Sequence, residues 1–117
     1  MKRVEAIIRP HRLAEALTAL ARMRITGVTV MDALGFGRKP GHSDIFEQIV
    51  IRQGEDHELG LVPKKMLVMF VEDEHVRTVV DTISQIARTG NPGDGKIAVS
   101  QLEELVRVRT DADQVSD

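Results

Sequence analysis

Two stretches of helical periodicity, each flanked by stretches of strand character, predict an α+β fold in the order β-α-β-β-α-β, the ferredoxin-like arrangement with both helices on one face of an antiparallel sheet. Three observations carry this. Apolar residues recur at three- and four-residue intervals within 11–23 and again within 73–88. The segments around them alternate or are rich in β-branched residues. Between the two halves lies a long stretch, 38–63, with no sustained period.

Val4, Ala6 and Ile8 alternate with Glu5 and Arg9, Ile7 adds apolar character to the second face, and Pro10 closes this first strand. Leu13, Ala16, Leu17, Leu20 and Ala21 form the stripe of an amphipathic helix over 11–23. Residues 25–36 are richer in Val and Thr and predict a second strand, opened by Gly27 and closed by Gly35 and Gly37. The 38–63 stretch exceeds the roughly 12–15 residues usual for a connection, and Ile45, Phe46, Ile49, Val50 and Ile51 make it a candidate partner-binding loop. Residues 66–71 are continuously apolar, so Met66, Val68 and Phe70 face one way and Leu67, Met69 and Val71 the other. Asp73 is the expected N-cap of a second helix whose stripe is Val76, Val79, Val80, Ile83 and Ala87. Ile97–Val99 is a short fourth strand, Leu105–Arg109 alternates as if extended, and 111–117 reads as a flexible acidic tail. Helices on one face leave the other bare, so the two-faced third strand predicts an oligomer; the alternative is a monomer whose C-terminal strand covers the sheet.

At 117 residues the chain is one domain with much surface left to hide. It has no Cys, no secretory leader and no apolar run near the ~18 residues of a membrane span, so a soluble cytoplasmic protein is expected. A net charge of −2, no Trp or Tyr and only three Phe argue against nucleic-acid binding. Any anionic ligand must be gripped locally.

Three clusters suit that task. Half of Thr89–Lys96 is Gly or Pro and the stretch ends in Lys96, so it reads either as a tight turn or as a loop of amide donors around a phosphate. It fits G-x-x-x-x-G-K, but Ile97 stands where a P-loop needs Ser or Thr, and the helix precedes the strand. Gly35-Phe36-Gly37-Arg38-Lys39 pairs an approachable backbone with two cations, and Arg107 and Arg109, two apart on an extended stretch, project to one side as guanidinium forks. His42 and His57 lack metal-ligand spacing, and no Ser, His and Asp arrangement indicates catalysis.

Over Met1 to about Thr110 the chain resembles the PII signal-transduction proteins. The resemblance lies in Val4-Glu5-Ala6-Ile7-Ile8-Arg9-Pro10, Gly35-Phe36-Gly37-Arg38 with Gly41-His42, Pro63-Lys64, Thr89-Gly90 with Gly93-Asp94-Gly95-Lys96-Ile97, and Arg107-Val108-Arg109-Thr110. It implies a homotrimer with adenine-nucleotide clefts (ADP, ATP or AMP) between subunits. A T-loop (38–63) would control a membrane transporter or metabolic enzyme, beside a B-loop (89–96) and a C-terminal loop (105–110), all within a 1–110 domain. The resemblance places Gly35, Gly37, Arg38, Gly93, Asp94, Gly95 and Lys96 at the phosphates and brings Arg107 and Arg109 from the neighbouring subunit. It sets Phe70 and Thr29 at the adenine, and Arg38, Lys39 and Lys64 beside a small-anion effector.

The departures point to a noncanonical PII-like branch. Conventional members carry a Gln after Gly-Phe-Gly-Arg that helps hold magnesium and 2-oxoglutarate; here Lys39 and then Pro40 follow, and an ammonium cannot ligate a metal. The modified Tyr is absent, with Phe46 near its place, and the T-loop is longer than usual. A bicarbonate-responsive regulator of inorganic carbon uptake or carboxysome function is one alternative reading. The others are a small phosphotransferase or nucleotide hydrolase using Lys96 and Arg38, and a purely structural trimer like the copper-tolerance proteins.

Overall fold

Strand β1 (Lys2–Ile8) buries Val4, Ala6 and Ile8 completely and leaves Arg3, Glu5 and Ile7 half exposed, the two-residue period that its sequence carries. A computed structural model describes residues 1–37 and 60–110. Within them, β1 is followed by a short 3-10 turn (Pro10–Arg12) and α1 (Leu13–Arg22). Then come β2 (Thr29–Phe36), β3 (Leu61–Val71), α2 (Asp73–Ala87) and β4 (Gly95–Gln101). These strands form one sheet in the order β2-β3-β1-β4 with every adjacent pair antiparallel. Each helical crossover therefore skips one strand position, which is the predicted ferredoxin-like βαββαβ arrangement.

The register sets Val4 opposite Met69 and Ala6 opposite Leu67, so the two central strands present one apolar face to the helices. Ala16 and Leu20 of α1 and Val79, Ile83 and Ala87 of α2 complete the core, with Val76, Val80 and Ile97 packed against it. Each fully buried Leu, Ile, Val or Met contributes about 1.5–3 kcal/mol of transfer free energy, so this layer dominates stability. The other face carries Ile7, Met31, Met66, Val68 and Phe70, of which only Val68 is buried within the chain. On β2, Val30, Leu34 and Phe36 are also exposed.

Several boundaries differ from the sequence expectation. Ala21 is exposed, and Met23 takes its place beside Ile25 and Val28 on the core. Asp73 is the first residue of α2 and not its N-cap; Glu72 holds that position without a side-chain cap. The Asp73 carboxylate instead meets the Met1 amine at 2.6 Å, and that hydrogen bond holds its pKa below the usual carboxylate value. β3 begins at Leu61, so Leu61–Pro63 leave the predicted loop and join the strand. Pairing to Leu34 explains this: beyond Ile8, β1 has ended, and Pro63 has a strand partner on one side only. Residues 105–109 are not a strand, because Arg107 makes a single bridge and 108–110 form a turn. The rest of 38–63 and the 111–117 tail lie outside the described residues.

Helix α1 ends in a Schellman motif, with the Ile25 N–H donating to the Leu20 carbonyl at 2.9 Å and the Arg24 N–H to that of Ala21 at 3.0 Å. The motif forces Arg24 to φ +61, a left-handed conformation that normally selects glycine. Arg24→Gly is therefore expected to stabilise the protein by roughly 0.5–1 kcal/mol, read as a higher urea midpoint at matched protein concentration. A lower midpoint would mean that the Arg24 side chain contributes more than its backbone strain costs.

Candidate functional site: a glycine loop beside a cationic cleft

Between α2 and β4 the chain turns through Thr89–Asp94 without regular structure, and the Asp94 carboxylate organises it. Oδ2 accepts the backbone N–H groups of Thr89 (2.7 Å) and Gly90 (2.8 Å), while Oδ1 accepts the Thr89 hydroxyl (2.6 Å) and Arg9 Nη1. The Thr89 hydroxyl in turn accepts the Asn91 N–H at 3.1 Å. Donation from the Thr89 hydroxyl, then from its backbone, outweighs partial desolvation and, with help from Gly90 and Arg9, holds the Asp94 carboxyl far below the ordinary carboxylate range.

Glycine is required at the junction with β4. Gly95 has φ +108, and a Cβ there would lie 1.8 Å from the Ile7 carbonyl oxygen. Gly93 has φ +99, and a Cβ would come within 3.2 Å of Arg9 Nη2. These positions let β4 start hard against β1 and let the guanidinium lie against the loop.

Beside the loop opens a cleft of about 870 Å³. Its polar rim is Arg9, Lys64 and Lys96 with the backbone of Gly35, Gly93 and Gly95; Ile7, Leu34, Phe36 and Val62 form an apolar wall. Lys64 Nζ donates to the Gly93 carbonyl. Burial, then the charge of Arg9, lowers the Lys64 pKa; Asp94 partly offsets this and Lys96 adds to it. The cleft thus combines positive charge, backbone polar groups and an apolar surface, the composition expected for an anion attached to an apolar group.

Gly35, Gly37, Lys64, Gly93, Gly95 and Lys96 line this cleft, and Asp94 lies in the loop at its edge. Thr29 and Phe70 do not reach it. Thr29 pairs with Val68 and Gly35 with Val62, six residues or about 20 Å along the strands. Phe70 lines a separate hollow of about 220 Å³ with Ile25, Thr26 and His75. Arg107 and Arg109 differ in exposure. Arg107 is 8% exposed and Arg109 is on the surface, because the turn at 108–110 breaks the alternation. Arg38, Lys39, His42 and His57 fall outside the described residues. Arg9 is the residue that sequence reasoning passed over. Antiparallel pairing of β1 with β4 places Ile8 opposite Gly95, so the residue after β1 must face the loop before β4. Among the described residues no group of three or more His, Cys, Asp or Glu could hold a metal ion, and no helix is long and apolar enough to cross a membrane.

Because the folded-state pKa of Asp94 is depressed, its contribution to stability is complete above the unfolded value of about 3.9 and is lost as pH falls through the acid range. Wild type is expected to exceed Asp94→Asn in urea midpoint at pH 7, by a margin that shrinks steadily between pH 5 and pH 2. A margin undiminished at pH 2 would assign the loop's order to something other than this carboxylate. Gly95→Ala is expected to cost about 2 kcal/mol or more by the same measure, through left-handed strain and collision with β1.

Residues 1–112 match the family described as Nitrogen regulatory protein P-II. The chain is 41% identical over 110 residues to the nitrogen regulatory protein P-II of Azospirillum brasilense, a match covering 94% of this chain and 93% of that protein. It is 39% identical to the protein of the same name from Rhizobium meliloti and 40% identical to nitrogen regulatory protein P-II 1 of Escherichia coli, with the same coverage. With the fold, the family match and about 40% identity over nearly the whole length in agreement, the chain belongs to the nitrogen regulatory protein P-II family, whose members are signal-transduction regulators and not enzymes.

Proposed function

We propose that this protein is a trimeric regulator that binds an adenine nucleotide (ADP, ATP or AMP) in a cleft between subunits and uses occupancy of that cleft to control a partner through residues 38–63. The observation that carries the reading is the convergence of Lys96, Lys64 and Arg9 with the Gly93 and Gly95 backbone on one cleft. In a chain of net charge −2 this is a local concentration of positive charge suited to phosphates. In this reading the phosphates lie against Gly35, Gly37, Arg38 and Gly93–Lys96.

Strand geometry supports a site shared between subunits. Thr29 lies about 20 Å along β2 from Gly35, so one adenylate held at the glycine loop meets the Thr29 and Phe70 of a different protomer. Arg107 and Arg109 come from that protomer as well. The half-covered sheet face and the exposed Val30, Met31, Leu34 and Phe36 supply apolar surface for the association.

Lys39 separates this regulator from magnesium-dependent 2-oxoglutarate sensing. Its ammonium supplies positive charge where a metal ligand would stand, which favours ADP, AMP or metal-poor ATP and a small anion beside Arg38, Lys39 and Lys64. Calorimetry tests the reading. ADP is expected to bind without magnesium, and Lys96→Ala to weaken it about tenfold or more while the sedimentation coefficient stays that of the trimer. Equal affinity in the variant would remove Lys96 from the site, and tight magnesium-dependent binding of 2-oxoglutarate with ATP would refute the role given to Lys39.

A further inference from the structure

We propose that Arg9 is a positioning residue for the anion-binding loop: by tying Asp94 and the Pro92 carbonyl to the end of β1 it sets the loop's shape, and phosphate affinity depends on it through the loop. This deepens the nucleotide reading above and rests on it.

The anchor is rigid. Ile8 is fully buried and Pro10 follows Arg9, so the guanidinium leaves a fixed point at the end of a central strand. Its two ends do different work: Nη1 donates to Asp94 Oδ1 and, at 3.3 Å, to the Thr89 hydroxyl, while Nη2 donates to the Pro92 carbonyl at 2.9 Å. A planar fork spans two acceptors on either side of Gly93; a lysine ammonium is a single point and holds one of them well. The Arg9 and Asp94 side chains are only 23% and 21% exposed, so solvent screens the pair less than an open surface pair.

Two consequences follow for a ligand. The Thr89 and Gly90 amides are already given to Asp94, so the carboxylate is the internal anion of the N-terminal half of the loop. That leaves the Gly93–Lys96 end to meet an incoming phosphate. With three glycines, Gly90, Gly93 and Gly95, the segment has much backbone freedom to lose on binding. A loop ordered in advance by Arg9 and Asp94 spares the ligand that cost.

The test is a double-variant cycle read in two ways. Arg9→Met and Asp94→Ala are each expected to weaken ADP binding about tenfold or more, and the double variant to be no weaker than the weaker single variant, because both disable one device. In ligand-free protein the same variants are expected to accelerate amide exchange at Thr89 and Gly90 about tenfold or more, with Val4, Ala6, Leu67 and Met69 unchanged. Arg9→Lys is expected to recover part of each effect. Losses that multiply in the double variant would make Arg9 a direct phosphate ligand and overturn the proposal, as would exchange at Thr89 and Gly90 that ignores Arg9. Should wild type fail to bind ADP, the nucleotide reading falls, while ligand-free exchange still decides whether Arg9 holds the loop.

Discussion

The antiparallel contact between the end of β1 and the start of β4 is the constraint on which the cleft depends. Ile8 stands opposite Gly95 and Ile7 opposite Lys96, which brings the residue after β1 and the loop before β4 to one edge of the sheet. The approach is so close that any side chain at Gly95 would enter the Ile7 carbonyl. Backbone geometry therefore precedes electrostatics here. The β1–β3 pairing sets Arg9 beside Lys64 and the seating of β4 adds Lys96, so three cations far apart in sequence and on three different strands or strand ends become neighbours.

That gathering of cations has to be held against repulsion, and the arrangement of acceptors shows how. Asp94 takes a hydrogen bond from Arg9, and the carbonyls of Pro92 and Gly93 take hydrogen bonds from Arg9 and Lys64. The loop thus offers a full negative charge and two carbonyl dipoles to its own cations. Lys64 still feels a net pull toward deprotonation, dominated by burial and by Arg9. One carboxylate does not neutralise three cations, and the surplus leaves the cleft net positive.

The fold was legible because its signals are local and redundant. Val4, Ala6 and Ile8 fix a face by alternation alone, and every stripe residue named for the second helix lies on or against the core. The errors fall where a distant partner decides the local state. Leu61–Pro63 have no strand periodicity, yet they pair because Leu34 and Phe36 offer an open edge. Leu105–Arg109 has alternation without a full-length strand partner, and a turn results. Lys96 and the loop glycines, which line the cleft, stand out because Gly and a lone cation carry meaning in sequence. Arg9 does not, since an arginine beside a proline looks like any strand terminator until the β1–β4 register is known. Thr29 and Phe70 entered only through family resemblance, Arg107 and Arg109 through an alternation that the turn interrupts, and none of the four lines the cleft of a single protomer.

The β2–β3 pairing gives the proposed regulator a physical route from ligand to partner. Its last pair is Phe36 with Leu61, and the neighbouring Gly35, Gly37, Val62 and Lys64 all line the cleft. The described ends of the two strands, at Gly37 and Leu61, therefore lie at the lip of the cleft. A ligand that draws Lys64 from the Gly93 carbonyl acts on β3 only three residues from Leu61, where the strand begins. Coupling requires that the ligand interact differently with two arrangements of this stem, and a lysine with alternative acceptors supplies such a difference. The transmission distance is one strand end and needs no rearrangement of the core. This is consistent with a core that is packed tightly on the helical face, with side chains such as Met69 and Ile83 wholly shut away from solvent.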